Sequence, residues 1–177
     1  MGDLSPRAPV AQPADRVRSE APDAPLHVVL VEPQIPPNTG NVARLCAATG
    51  CALHLVEPLG FSIDDRALKR AGLDYWSLVD VVVHRSLDAF VEGWRGALWF
   101  ADTHGGARYD AAPYERGDAL VFGKETAGLD AALLARHGGR VLRIPMRQNS
   151  VRSLNLSVAV GIVVYAAVAR IGFPSMR

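Results

Sequence analysis

The sequence predicts an α/β fold in which a parallel β-sheet is covered by helices on both faces. Short runs of continuous apolar residues alternate along the chain with segments of helical periodicity. Strands that are buried on both faces are apolar throughout, whereas strands with one solvated face alternate apolar and polar residues. Of the 177 residues, 49% are hydrophobic and 21% are charged, which fits one globular domain with its own core.

The elements follow from these patterns in chain order. Apolar runs predict strands at residues 26–31, 53–57, 77–83, 97–102, 119–123 and 141–145. Helical patterns predict helices at residues 42–49, 64–70, 86–94, 128–138 and about 153–171. Gly50 and Gly72 follow the first two helices, where glycine takes the left-handed backbone conformation without a steric penalty.

The composition predicts that residues 1–25 form a disordered extension and that residues 26–177 form the folded domain. The extension is rich in Ala and Pro, has no aromatic residue and shows no apolar period, so nothing in it would offset the entropy lost on ordering. It lacks the cationic and then apolar segment of a signal peptide. The longest apolar run, residues 158–169, is shorter than the roughly 20 residues of a membrane span. We therefore expect a cytoplasmic protein without membrane contact.

Charge and cysteine content exclude several classes of site. The formal net charge is +1, so an anionic partner would have to bind a local cluster of positive charge. Arg66, Lys69 and Arg70 have the spacing of one helical face, with Tyr75 beyond them. This pattern is typical both of a solvated helix and of a nucleic-acid contact. Cys46 and Cys51, the two cysteines, match no zinc or redox spacing and predict buried structural thiols, and we expect no metal.

The first predicted strand is followed by "EPQIPPNTGN", which is not a phosphate loop. It contains one glycine, and its prolines remove backbone donors, which argues against a nicotinamide-dependent dehydrogenase. Asn38 and Thr39 are suited to cap the next helix. Arg44, within that helix, carries a guanidinium that suits a phosphate or a carboxylate.

Two later loops carry polar groups after predicted strands. In "FGKETAGLD", Glu125 lies in a tight turn between two glycines. In "IPMRQNSVRSLNLS", Ser153, Asn155 and Ser157 precede an apolar helix, and capping accounts for one of them but not easily for all three. Ligands of parallel sheets bind past the carboxyl ends of the strands, so these loops are candidate binding segments.

Three stretches resemble the motifs of the SpoU branch of the SPOUT methyltransferases: "NTGNVARLCAATG", "FGKETAGLD" and "IPM…SLNLSVAVGIVVY". "EPQIPPNTGN", "EPLGF" and "LKRAGLDYW" further resemble the small single-domain tRNA wobble-position (cytidine/uridine-34) ribose 2′-O-methyltransferases, over residues 26–173. The resemblance implies a parallel sheet flanked by helices with a C-terminal deep trefoil knot, one of the rare exceptions to the rule against knots.

The resemblance also implies roles for particular residues. S-adenosylmethionine would bind at four positions: Ala101, Gly123, Ile144 and Ser153. Catalysis or substrate orientation would fall to Asn38, Arg44, Glu125, Ser153 and Asn155. RNA would be contacted by Arg66, Lys69, Arg70 and Tyr75, extended by Arg147, Arg152 and the pair His84–Arg85. The prolines would stiffen a loop that presents Asn38 and Arg44 to the cofactor.

The implied reaction is 2′-O-methylation of nucleotide 34, C or U, of tRNA. A guanidinium is a poor base, so we expect Arg44 to clamp a phosphate and stabilise developing charge. The alternatives are methylation of another RNA, either rRNA or another tRNA site, and a catalytically silent RNA-binding homologue. A homodimer through the last helix is also implied. We expect four residues of this segment to pack in the core of the monomer, and the remaining faces of the helix to contact a second subunit: Leu154, Val158, Ile162 and Val163 are the core residues. Lys124, where relatives usually have proline, and Ala166, where they commonly have glutamate, depart from the pattern.

Overall fold

The computed structural model describes residues 23–62, 78–174 and 176. These residues form seven strands: β1 His27–Val31, β2 Ala52–Val56, β3 Val81–His84, β4 Leu98–Ala101, β5 Ala107–Arg108, β6 Ala119–Phe122 and β7 Val141–Arg143. They form four α-helices: α1 Pro36–Thr49, α2 Leu87–Gly93, α3 Ala131–Arg136 and α4 Leu156–Arg170. A short 3₁₀-helix, Gly138–Arg140, leads into β7.

The seven strands form one sheet in the order β3-β2-β1-β6-β4-β7-β5, and every pair of neighbours is parallel. The predicted α/β class with a parallel sheet is therefore confirmed. Within the described ranges, no helix combines the length and apolar character needed to cross a membrane.

Helices cover both faces of the sheet. Successive side chains of a strand point to opposite faces, so Val28 and Leu30 of β1 join one core and Val29 the other. The first core takes in α1 and α4, and the second takes in α2 and α3. Cys46 and Cys51 are free and buried in the first core, as predicted, and burial raises the pKa of both thiols.

Helix α1 begins at Pro36 and not at residue 42, so the expectation of a stiff proline loop is wrong. Pro36 and Pro37 lie in the first turn, where a helical N–H has no partner within the helix and proline removes nothing that is needed. Ile35 is the residue at the cap position and makes no side-chain cap bond. Asn38 and Thr39 thus lie inside the helix, both buried, and are not its capping residues.

Helix α4 begins at Leu156 with Asn155 as its cap, whereas the sequence pattern placed the start near residue 153. Its buried residues are Val160, Val163, Val164, Ala167 and Val168. Val158 is 50% exposed, so its expected place in the monomer core is wrong. Leu154 and Ile162 are half-buried.

Other differences lie at the edges of the fold. Strand β5 was not predicted, because its two residues are too few to form an apolar run. The predicted helix at 64–70 and most of the predicted extension lie outside the described residues. Asp23 and Pro25, which the sequence assigned to the extension, contact the domain: the Asp23 carbonyl accepts from Arg116 and the Pro25 carbonyl from the Gly117 amide.

Three histidines form a hydrogen-bonded line across three neighbouring strands. His27 Nδ1 lies 2.9 Å from His54 Nε2, and His54 Nδ1 lies 2.9 Å from His84 Nε2. Phe90 and Trp94 pack against the rings. His84, expected to extend an RNA-binding patch, is instead half-buried and bonded into this line.

Candidate active site

A cleft of about 880 Å³ opens at the carboxyl ends of β6, β4 and β7. These strands are neighbours in the sheet, so the loops that follow them meet at one edge. The loops after β4, β6 and β7 line the cleft, together with the start of α4 and with Ile35 and Asn38 from α1. A smaller cavity of about 490 Å³, near Trp99 and Arg140, contains none of the motif residues.

The Glu125 carboxylate joins the loop after β6 to the start of α1. Its Oε2 accepts from the Gln34 amide at 2.9 Å, and its Oε1 accepts from the Ile35 amide at 3.2 Å. Amides at a helix N-terminus lack partners within the helix and carry partial positive charge. Glu125 therefore supplies, from the loop after β6, the capping that the Ile35 side chain cannot give.

A chain of side-chain amides extends this contact to α4. Asn155 Oδ1 accepts from the Ser157 amide at 2.9 Å and so caps α4. Asn155 Nδ2 then donates to Asn38 Oδ1 at 2.9 Å, and Asn38 Nδ2 donates to Glu125 Oε1 at 3.1 Å. Because each amide is fixed at both ends, the orientation of all three side chains is determined.

Two further contacts join the loops after β1 and β6. Lys124 Nζ lies 2.7 Å from Glu32 Oε2, and Thr126 Oγ1 donates to Gln34 Oε1 at 2.7 Å. Glu32 has a φ of 49°, in the left-handed region that few residues other than glycine adopt. Lys124, one of the two expected departures from the family pattern, thus pairs with a carboxylate whose residue has an uncommon backbone conformation.

Gly123 permits close packing inside the second loop. A Cβ at this position would lie 2.5 Å from both the Gly128 carbonyl oxygen and the Leu129 amide nitrogen. Gly128 itself has a φ of 68°. A side chain at 123 would therefore push apart the two ends of the turn that carries Glu125.

The structure brings most of the predicted site residues together. The four expected cofactor positions, Ala101, Gly123, Ile144 and Ser153, all line the cleft. Four of the five expected catalytic residues also line it: Asn38, Glu125, Asn155 and Ser153, which was expected in both roles.

Arg44 is not among the residues that line the cleft. It is exposed on α1, on the same helical stripe as the exposed Pro37, Asn41 and Ala48. Arg66, Lys69, Arg70 and Tyr75 lie outside the described residues, so their role stays a prediction. Arg152 lines the cleft, and Arg147 is exposed.

Sequence reasoning missed the loop after β4 beyond Ala101. Asp102, Thr103, His104 and Gly106 also line the cleft. The signal was available, since the predicted strand 97–102 ends there and ligands bind past the carboxyl ends of parallel strands. What the sequence could not give was the strand order, which sets β4 between β6 and β7.

The cleft fits S-adenosylmethionine in size and chemistry. Its volume falls in the range of roughly 300–1,000 Å³ that is usual for small-molecule and cofactor sites. Its walls include apolar side chains that suit a purine ring: Leu129, Leu142, Ile144, Met146 and Leu156. Carboxylate, amide and hydroxyl groups at the cleft wall suit the polar part of such a molecule.

Residues 25–165 match the model of the SpoU rRNA Methylase family. The chain belongs to this family. It is 52% identical over 151 residues to the tRNA (cytidine(34)-2′-O)-methyltransferase of Burkholderia pseudomallei, a match that covers 83% of this chain and 96% of that protein. The predicted resemblance to the SpoU branch is therefore confirmed.

Solved structures of SpoU methyltransferases share the fold. One, described as giving structural insights into the 2-OH methylation of C/U34 on tRNA, is 47% identical, covers 82% of this chain and 95% of its own, and superposes with a TM-score of 0.78. An AdoMet-bound rRNA methyltransferase from Sinorhizobium meliloti is 26% identical, with a TM-score of 0.72. It matches over 81% of this chain and 56% of its own.

Proposed function

We propose that this protein transfers a methyl group from S-adenosylmethionine to the ribose 2′-hydroxyl of nucleotide 34, C or U, of tRNA. The observation that carries the proposal is the similarity, at about half of all positions, to a tRNA (cytidine(34)-2′-O)-methyltransferase over 96% of that protein's length. The family match, over residues 25–165, includes all three motif loops of the cleft. With tRNA as the substrate, the reaction belongs to the cytoplasm.

The cofactor would lie against Ala101, Gly123, Ile144 and Ser153. When bound, it would supply a methyl group on a sulfonium sulfur, whose carbon a nucleophile can attack in line while the neutral thioether leaves. The protein's task is then mainly to hold and orient. Gly123 leaves room for close backbone approach, and the apolar wall keeps water from the reacting groups.

The amide chain would orient the ribose. Asn38, Asn155 and Glu125 fix one another by hydrogen bonds, so the polar groups of the cleft are arranged before a substrate binds. Such preorganisation removes a reorganisation cost from the reaction step. Glu125 is engaged with two backbone amides and with Asn38, and its role here is to position these groups.

Arg44 would clamp the phosphate next to the reacting ribose and stabilise the charge that develops on the hydroxyl oxygen. It is exposed and does not line the cleft of its own chain. We therefore propose that Arg44 acts on the cleft of a second subunit. An Arg44→Lys variant should lose at least tenfold in kcat, because lysine lacks the planar two-donor fork; near-normal turnover with unchanged RNA affinity would contradict this role.

The proposed assembly is a homodimer through α4. Val158 and Tyr165 are 50% and 46% exposed, and their separation of two helical turns sets them on one face. The half-buried Ile162 lies between them, and the exposed Ala169 follows. An exposed apolar stripe of this kind supports burial against a second copy.

The proposed RNA contact surface comprises Arg66, Lys69, Arg70 and Tyr75. The cationic residues would neutralise phosphates, and the tyrosine ring would stack on a base. Binding to tRNA should weaken steeply as salt rises, and the triple change of Arg66, Lys69 and Arg70 to Ala should flatten this dependence by about two to three units of slope. An unaltered slope would remove the assignment.

We also propose that the chain is knotted near its C-terminus. Strand β7 lies between β4 and β5, so the connection from β4 to β5 must cross it. At the crossing, a Cβ on Gly105 would lie 2.6 Å from the Leu142 carbonyl oxygen. A crystal structure would test this. A backbone path that becomes an unknotted line when its two termini are drawn apart would overturn the proposal.

Mass spectrometry of nucleosides tests the function directly. In cells that lack the gene, tRNA should lose a 2′-O-methyl pyrimidine at position 34, and the purified protein with S-adenosylmethionine should restore it. Loss of an rRNA methyl group or of a methyl group elsewhere in tRNA would favour the other RNA substrates. Tight tRNA binding with no methyl transfer would favour a silent homologue.

A further inference from the structure

Asp102 follows β4 directly and contributes a carboxylate to the wall of the cleft. Its backbone amide donates to the Leu142 carbonyl at 2.9 Å, which ties the residue to β7. Its side chain is 15% exposed. A carboxylate that is largely buried needs hydrogen-bond donors, since water reaches little of it.

The two oxygens of Asp102 have different surroundings. Oδ1 accepts from the His104 amide at 2.8 Å and lies 3.3 Å from His104 Nδ1. Oδ2 is directed towards Gly128, where a Cβ would lie 3.5 Å away. Among the residues that the structure describes, none donates a hydrogen bond to Oδ2. The turn that begins the loop thus fixes one oxygen and leaves the other with acceptor capacity.

In the part of the chain that the structure describes, no other carboxylate of the cleft has this freedom. Among the described cleft residues, the other acidic side chain is Glu125, whose two oxygens accept from Gln34, Ile35 and Asn38. The cleft lysine, Lys124, pairs with Glu32. Asp102 also adjoins Ala101, one of the expected cofactor positions, so a ligand held there comes within reach of Oδ2.

We propose that Asp102 Oδ2 accepts a hydrogen bond from the bound methyl donor and so sets its affinity. The inference rests on the proposed function, because it takes S-adenosylmethionine as the ligand. That molecule offers three kinds of donor to a carboxylate: the hydroxyls of its ribose, its α-ammonium group and the exocyclic amine of its adenine. One free oxygen suits one such donor, and a hydrogen bond to a charged acceptor is stronger than one between neutral groups.

Calorimetric titration with S-adenosylhomocysteine tests the proposal without any turnover. Asp102→Ala should weaken binding about 10- to 100-fold, the ratio expected for a hydrogen bond to a charged group. Asp102→Asn should weaken it similarly if the new amide nitrogen takes the place of Oδ2, while the remaining oxygen still accepts from the His104 amide. This second variant separates loss of the contact from loss of the turn.

Titration with 5′-methylthioadenosine tells whether the donor belongs to the amino-acid part or to the nucleoside part, because this compound keeps the adenine and the ribose and lacks the amino-acid part. If the ribose or the adenine amine is the donor, both compounds bind more weakly to Asp102→Ala; if the α-ammonium is the donor, only S-adenosylhomocysteine does. Asp110→Asn is the matched control, since this exposed carboxylate pairs with Arg108 outside the cleft.

Binding of both compounds to Asp102→Ala within twofold of the wild type would overturn the inference and leave the proposed function standing. A wild-type protein that binds neither compound would overturn both.

Discussion

At the scale of single residues, Glu125 is the point where three loops of the site meet. It accepts from the Gln34 and Ile35 amides and from Asn38, which in turn accepts from Asn155. Removal of the carboxylate would leave the buried Asn38 amide without an acceptor, which costs more than the loss of an exposed bond. The residue's value to the enzyme thus lies in holding the start of α1 and the Asn38 amide in one arrangement.

Glu125→Ala should lower the free energy of unfolding by about 1–3 kcal/mol, because the start of α1 loses its cap and the buried Asn38 amide loses its acceptor. It should also lower kcat by at least tenfold through loss of Asn38 orientation. Urea unfolding and methyl transfer to tRNA measure the two effects. Thr126→Val, which removes one exposed hydrogen bond to Gln34, should cost less than about 1 kcal/mol. Equal stability of Glu125→Ala and the wild type would contradict this account.

Gly123→Ala should destabilise the second loop strongly, because the new methyl group would meet the backbone of Gly128 and Leu129 at 2.5 Å. Overpacking of this kind typically costs about 1–3 kcal/mol, and a rigid backbone neighbour favours the upper part of that range. Binding of S-adenosylhomocysteine should fall with it.

Gly106→Ala is the matched control for Gly123→Ala. Gly106 lines the same cleft, and a Cβ there would meet nothing within 4 Å. Its thermal unfolding should lie close to that of the wild type. If the two variants had equal midpoints, the close approach in the second loop would not be a constraint.

At the scale of elements, the sequence predicts the strands better than the polar ends of the helices. Continuous apolar runs located β1, β2, β4, β6 and β7 to within a few residues, because burial on both faces requires an apolar side chain at nearly every position.

The start of α1 could not be read in the same way. Two prolines and an asparagine are common in loops. They are also tolerated in the first turn of a helix when another segment of the chain accepts hydrogen bonds from the amides there. That cap is Glu125, ninety residues further along the chain from Ile35. A contact of this range leaves no local signal, so the expected loop was in fact a helix.

The sequence likewise predicted some residues of the candidate site and missed others. The family resemblance identified seven cleft residues, from Asn38 to Asn155, six of them in the motifs and the seventh, Ala101, at the end of β4. The place of Arg44 outside its own chain's cleft depends on which face of α1 packs against the sheet and α4. The loop after β4 depends on strand order. Neither can be obtained from residue spacing alone.

The line of His27, His54 and His84 predicts a loss of stability in mild acid. Burial lowers the pKa of His27 to about 4 and that of His54 to about 3, and it also lowers the pKa of His84. Below about pH 6.5 the unfolded chain binds protons that the folded chain excludes. Unfolding free energy should therefore fall by several kcal/mol, of the order of 5, between pH 6.5 and about 4.5.

Urea unfolding at a series of pH values measures this loss. His27→Asn should remove about 2 kcal/mol, roughly two fifths, of the loss between pH 6.5 and 4.5, because one of the three histidines that exclude a proton is then absent. His104→Asn is the control, because a side chain that is 93% exposed stays in water in both states. A wild-type curve that is flat over this interval would contradict neutral buried histidines.

At the scale of the whole molecule, the fold brings the candidate site residues together at the carboxyl ends of the strands and leaves one helix face exposed. The cleft takes its walls from loops that follow adjacent parallel strands, so residues as distant in sequence as Asn38 and Asn155 share a hydrogen bond. Helix α4 begins in this cleft and continues over the sheet, with Val158 and Tyr165 left half exposed. The same helix would thus serve both the cofactor site and the proposed dimer.

Val158→Glu should convert the proposed dimer to monomers, because burial of an unpaired carboxylate in an apolar interface costs several kcal/mol. The monomer should still fold, since half of this side chain is already exposed. Light scattering after size exclusion at micromolar concentration measures the mass, and activity should fall in parallel if Arg44 acts on the partner's cleft. Ala89→Glu adds the same charge to the exposed surface of α2, on the other face of the sheet, and should stay dimeric and active. A wild-type protein that is monomeric and fully active at this concentration would rule out both the α4 interface and the shared site.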